Sequence, residues 1–179
     1  MQVNAPHEFE AFVRRYQDMV YATAVRLLGS PAEAEDAAQT VFLKAFQRFD
    51  EVVGSPAAPG WLKTTTRNIC LNHLSRYRAR WQFFSELTRP DRADGGDYAD
   101  SLASPLSQAL DLEQAELREE LEHALRALPD HQRVPLVLFH FEELNYQEIA
   151  DALGASLGKV KTDIHRGREA LKRLLTDRV

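Results

Sequence analysis

The chain has 179 residues, 44% of them hydrophobic and 27% charged, and a formal net charge of -5, a balance that allows one compact domain or two small ones and excludes a low-hydrophobicity disordered chain. No run approaches the roughly 18 apolar residues of a membrane span, and Glu8, Glu10 and Asp18 stand where a signal peptide has a basic start and an apolar core, so a cytoplasmic protein without membrane insertion is expected. The single cysteine, Cys70, excludes an internal disulfide and a multi-cysteine zinc cluster.

From Glu8 to Leu28, Phe9, Phe12, Val13, Tyr16, Val20, Ala24, Leu27 and Leu28 recur at spacings of three and four and predict an amphipathic helix that Gly29 ends. Ser30-Pro31-Ala32-Glu33 then reads as a capping box with proline at the first helical position. The helix it opens runs to about residue 49, with Ala34, Ala37, Val41, Ala45 and Phe46 on its inner face. Gly54, Pro56, Pro59 and Gly60 predict a loop over 50–60, and a third helix is expected from Trp61 to about Arg80. Pro90, Gly95, Gly96 and Pro105 among Asp and Ser predict a flexible linker over 89–106. Helical spacing resumes from Leu106 to Leu128 through Leu110, Leu117, Leu121 and Ala124.

Asp130 is expected to cap the next helix, which ends near Glu143, with Pro135 awkward just past its first turn. Asn145 caps a short helix that Gly154 stops, and Ser156 caps a last, basic one. The fold class is therefore all-α: two small helical domains, 1–88 and 107–179, joined by an acidic linker, the second a helix-turn-helix.

The charges are segregated. Residues 51–90 carry +4 and 91–128 carry -7, and within the C-terminal part 129–155 has 1 basic and 5 acidic residues against 7 and 3 in 156–179. On the last helix, Lys159, Lys161, Arg166 and Arg168 can reach phosphates, while Ser156, Lys159, Lys161, Thr162 and Asp163 lie near its start, where base edges of a major groove are read. The same pattern also fits an ordinary solvated face. Asp163 repels phosphate, so it accepts from a cytosine amine, pairs with a neighbouring cation, or points away.

The second basic patch, Lys63, Arg67, Arg76, Arg78, Arg80 and Arg89, is interleaved with Trp61, Tyr77, Trp81, Phe83 and Phe84. Aromatic faces beside cations suit single-stranded nucleic acid, with Asn68 and Asn72 able to read a base edge, although aromatics in a core and solvated arginines give the same composition. The six histidines show no metal spacing, and no HExxH motif, phosphate loop or nucleophile-base set is present. No catalytic residue, metal or cofactor is expected.

These motifs together resemble the extracytoplasmic-function (ECF) group of bacterial sigma-70-type RNA polymerase sigma factors. The likeness lies in Phe12-Val13, Tyr16-Gln17-Asp18, Val20-Tyr21, the run Ala34 to Phe42, Trp61-Leu62 and Arg67-Asn68. It continues through Leu128-Pro129, Gln132-Arg133, the run Leu144 to Ala150, Leu153-Gly154, the run Gly158 to Thr162, and His165 to Arg168. The resemblance implies that Asp36, Gln39 and Leu43 dock on the clamp helices of the largest polymerase subunit, with further contact to the flap of the second largest. It implies that Trp61, Lys63, Arg67, Asn68, Arg76, Arg78 and Arg80 engage the opened minus-10 strand, and that Ser156, Lys159, Lys161, Thr162, Asp163, Arg166 and Arg168 meet the minus-35 duplex. An anti-sigma factor is the further partner it implies. Lys159, Thr162 and Asp163 depart from the Thr, Ser and Arg common at those places, Thr40 replaces a common acidic residue, and Pro135 is unusual. Outside that family, a dimeric helix-turn-helix regulator fits only the C-terminal half.

Overall fold

A computed structural model describes residues 5–74 and 111–176, and within them all regular structure is helical. The helices are α1 Ala5–Leu28, α2 Pro31–Gln47, α3 Phe49–Val52, α4 Ala58–His73, α5 Asp111–Ala127, α6 Asp130–His140, α7 Tyr146–Leu153 and α8 Leu157–Thr176. The predicted linker over 89–106 lies outside the described residues.

The helix boundaries follow local chemistry. Ser30 is extended and its hydroxyl accepts from the Glu33 amide at 3.4 Å, while the Glu33 carboxylate lies 3.3 Å from His73 on α4, so this cap also ties two helices together. The loop expected over 50–60 is shorter than its glycines and prolines suggest. The turn of α3 occupies part of it, and Pro59 falls in the first turn of α4, where the missing N–H has no intrahelical partner to serve. On α6 the expected Asp130 cap is instead the first helical residue, and the carbonyl of Pro129 accepts from both Gln132 and Arg133. Pro135 stays inside the helix, buried, and withholds only the N–H that the His131 carbonyl would have taken.

Helices α1, α2 and α4 pack on one another around Phe12, Val20, Val41, Ala45, Val52, Ala58 and Leu62. In the C-terminal domain, α8 packs on α5, α6 and α7 around Leu125, Leu136, Leu138, Ile149, Val160 and Ile164. The two domains also touch. α1 packs on α5 and α6, and a single apolar cluster runs from Ala24, Leu27, Cys70, Leu71 and Leu74 into Leu128, Val134 and Val137. Each fully buried leucine in it contributes about 1.5–3 kcal/mol relative to exposure.

Candidate polymerase and nucleic-acid interfaces

On α2, Asp36, Gln39 and Leu43 fall at i, i+3 and i+7 and share one exposed face. Leu43 is 63% exposed and Phe46, one turn on, is 55% exposed. Phe46 is expected inside; it lines instead a groove of about 800 Å³ between α1 and α2, together with Phe9, Val13, Tyr21 and Phe42 and with Asp18, Glu35 and Gln39. The ring of Phe9 meets that of Phe46 edge-on at 5.0 Å, which holds the wall of the groove in place. Helical periodicity marks Phe9 and Phe46 as inward, but both rings line an open groove between α1 and α2, a distinction that requires the packing of the two helices.

The residues assigned to the minus-10 strand divide between opposite faces of α4. Trp61 and Asn68 line a pocket of about 390 Å³ with Lys44, Gln47, Arg48, Thr65, Ile69 and Asn72. Lys44, Gln47 and Arg48 come from the end of α2, and the sequence reading did not include them because they are far from Trp61 in the chain. Lys63 and Arg67 stand on the other side of the helix, on the stripe that continues through Cys70, Leu71 and Leu74 into the interdomain cluster. Arg76, Arg78 and Arg80 lie outside the described residues.

Glu142 is 6% exposed, and its Oε2 has no hydrogen-bond partner among the described residues. Burial raises its pKa above the usual carboxylate value, against the lowering pull of Lys63, Arg67 and Arg26. Beside it Arg26 donates to Glu122 at 2.7 Å and stacks 4.4 Å from the ring centre of Phe141. Cys70 is buried in the same region, and desolvation with nearby Glu142 pushes its thiol up to about 12, so it is an inert packing group.

The helix-turn-helix is rigidly built. Asn145 and Glu148 form a reciprocal capping box at the start of α7, Gly154 takes the left-handed conformation that ends it (φ 63°), and the Ser156 hydroxyl accepts from the Lys159 amide at 3.2 Å at the start of α8. Gly167 brings α8 close to α6, since a β-carbon there would stand 3.2 Å from the Gln132 carbonyl oxygen. Ser156, Lys161 and Arg166 are exposed and Thr162 is half-buried, which leaves them available to a duplex. Leu157 and His165 share that exposed face, and neither carries the fixed positive charge that marks Lys161 and Arg166 in the sequence.

Asp163 is not on it. It is buried and paired with Lys159 at 2.6 Å, so these two candidate readers of bases are engaged with each other. Burial raises the Asp163 pKa, and its hydrogen bond and charge attraction with Lys159 work against that rise. Arg168 donates through Nε to His140 at 3.1 Å and lies 5.3 Å from the ring centre of Phe139, so it fastens α8 to α6.

With this geometry established, comparison with known proteins is decisive. Residues 12–80 match the family described as Sigma-70 region 2 and residues 118–171 match Sigma-70, region 4. The ECF RNA polymerase sigma factor SigW of Bacillus subtilis is 30% identical over 94% of this chain and 89% of its own length. The RNA polymerase sigma-H factor of Pseudomonas aeruginosa is 32% identical over 93% and 86% respectively. Among solved structures, a sigma factor RpoE in complex with the anti-sigma factor NepR from Bartonella quintana is 26% identical, covers 94% of this chain and 96% of that one, and aligns with a TM-score of 0.49. The chain belongs to the ECF group of the sigma-70 family of RNA polymerase sigma factors.

Proposed function

We propose that this chain is an alternative, non-catalytic initiation subunit that mounts on core RNA polymerase through the α1/α2 groove, engages the minus-10 strand through α4, and reads the minus-35 duplex through α8. The uncovered groove carries this reading. Leu43 and Phe46 are 63% and 55% exposed on a face that also holds Asp36 and Gln39, and apolar side chains set among carboxylates suit a partner helix with an apolar stripe and basic flanks. In the minus-10 step, the ring of Trp61 and the amides of Asn68 and Asn72 line a pocket of a size to take one extruded base, Lys44 and Arg48 in the same pocket neutralise the adjoining phosphates, and Lys63 and Arg67, on the other side of α4, meet the strand further along. In the minus-35 step, Lys161 and Arg166 hold the duplex backbone while Ser156 and Thr162 meet base edges. The polymerase performs nucleotidyl transfer, and an anti-sigma factor is the further partner of the free subunit.

Run-off transcription with purified core polymerase on fragmented genomic DNA tests this reading. New discrete starts sharing two upstream motifs are expected only when the chain is present. No new starts, together with failure to co-migrate with core polymerase, would overturn it in favour of a dimeric regulator that shifts duplex DNA unaided.

A further inference from the structure

At the start of α8 the polar side chains are largely engaged within the helix. Lys159 pairs with the buried Asp163 at 2.6 Å. The Ser156 hydroxyl accepts from the Lys159 amide at 3.2 Å, and the Thr162 hydroxyl donates to the Gly158 carbonyl at 2.9 Å. Each hydroxyl keeps one further hydrogen-bonding function, but a hydroxyl serves donors and acceptors on a base edge alike and so discriminates weakly between bases. What the first turn leaves uncovered is apolar. Leu157, the first residue of the helix, is 39% exposed. Next to it Gly158 is exposed too, and a β-carbon there would meet nothing within 4 Å. Glycine inside a helix lowers its stability. At Gly167 the close approach of α6 accounts for it, whereas at Gly158 no contact among the described residues does. The bare backbone beside Leu157 is therefore open to something outside the chain.

We propose that Leu157 is a specificity-determining residue of α8, whose methyl groups pack on the C5-methyl of a thymine in the minus-35 duplex while Gly158 lets that base edge come close to the helix backbone. This rests on the assignment of α8 to the minus-35 duplex. The first residues of a reading helix are the ones that meet base edges in the major groove. The thymine methyl is the apolar group that the groove offers there, and a leucine has neither a hydrogen bond nor a charge with which to recognise anything else. Contact removes both apolar surfaces from water, which favours thymine over a base that lacks the methyl. Leu157 neutralises no phosphate, so its share of the affinity does not change with salt, unlike that of Lys161 and Arg166 on the same exposed face.

The test uses the full chain assembled with core polymerase, on a promoter recovered by run-off transcription, with each thymidine of its minus-35 element replaced in turn by deoxyuridine. That exchange keeps base pairing and every hydrogen-bonding group and removes a single methyl. At one position at least, uracil is expected to weaken binding about fourfold, the factor that burial of one methyl-sized group carries. In Leu157→Ala the same exchange is expected to have no effect, and the salt slope should equal that of the parent. Leu157→Met, which keeps an apolar reach, is expected to retain the preference for thymine. Leu157 is exposed in the first turn, so both variants should keep the parent's helical circular dichroism spectrum and thermal midpoint. A minus-35 element without an A·T pair, uracil accepted at every position, or a uracil effect that persists in Leu157→Ala overturns the assignment of Leu157 and leaves the initiation-factor reading standing. Transcript starts that share no minus-35 motif instead defeat the assignment of α8, and the proposal with it.

Discussion

The guanidinium carbon of Arg133 lies 2.6 Å from where a β-carbon on Gly29 would stand. From that socket Arg133 donates to the Leu128 carbonyl at 2.9 Å and to the Leu27 carbonyl at 3.4 Å, and pairs with Asp130. The glycine that ends α1 with φ 70° therefore also admits the arginine that opens α6 in the other domain. Gly29→Ala is expected to destabilise the chain by roughly 1–3 kcal/mol through the left-handed backbone alone, and further through the displaced guanidinium. Urea unfolding of this variant, of Arg133→Ala and of the double variant checks it. The socket predicts that the two costs do not add, and strict additivity would mean that Gly29 acts through backbone conformation only.

The Lys159 and Asp163 pair makes two unequal predictions. Lys159→Ala leaves a buried carboxylate without its cation and is expected to cost about 3 kcal/mol, whereas Asp163→Asn leaves the less buried Lys159 ammonium on a long stem that can swing its charge to water, and costs less. Both side chains are turned to each other, so Asp163→Asn is also expected to leave the minus-35 base preference as it was. Thermal unfolding gives the order of the two costs, and selection from a randomised minus-35 duplex gives the preference. A shifted preference in Asp163→Asn would place that carboxylate on a base.

Much of this was legible in the chain because capping and helical periodicity are local. Ser30, Asn145, Gly154 and Ser156 act where the sequence puts them, and Leu27, Val41, Ile149 and Ile164 are buried as their spacing requires. What needed three dimensions was direction and partnership. Lys63 and Arg67 read as one patch with Trp61 and Asn68, but a rotation of 100° per residue sends them to opposite sides of α4. Asp163 stood as a candidate at the reading surface because its cation, Lys159, lies one turn away and only the packing of α8 shows both turned inward. The interdomain contacts Arg26 to Glu122 and Arg133 to Leu27 join residues 96 and 106 positions apart, a separation that no local pattern encodes.

The two arginines late in the reading helix are expected to separate. Arg166 is exposed, and Arg166→Ala should reduce the slope of log affinity against log salt for a minus-35 duplex by about one unit, with the domain equally stable. Arg168 is tied to His140 and Phe139, so Arg168→Ala should also lower the thermal midpoint. Duplex titrations at several salt concentrations, paired with calorimetry, measure both. An unaltered slope for Arg166→Ala would remove it from the phosphate contacts.

The docking face makes a prediction in which affinity and stability part company. Leu43 is mostly exposed in the free chain, so Leu43→Ala combined with Asp36→Arg should leave the unfolding midpoint in place. It should lower affinity for core polymerase by on the order of tenfold or more, since truncating one buried anchor at an interface commonly costs above about 1–2 kcal/mol. Co-migration on gel filtration and fluorescence titration against core enzyme read this directly. Core affinity equal to that of the parent would move the docking site off α2.

His131, near the start of α6, carries the pH prediction. Desolvation lowers its pKa from 6.5; Asp163 and Asp130 pull it up, while Lys159 and Arg166 push it down. A base whose folded value lies below its unfolded one favours the neutral form in the fold, so its stabilising contribution is present above pH 6.5 and is lost as pH falls through that value towards the lower folded pKa. Glu142 and Asp163 work in the opposite sense, because their raised values make protonation easier in the fold, and their effect grows as pH falls towards the carboxylate range. Stability measured by urea at closely spaced pH values should therefore decline below pH 6.5, and His131→Gln, which cannot take up a proton there, should flatten that decline. An identical decline in His131→Gln would assign the loss to another group and leave His131 exposed to water in solution.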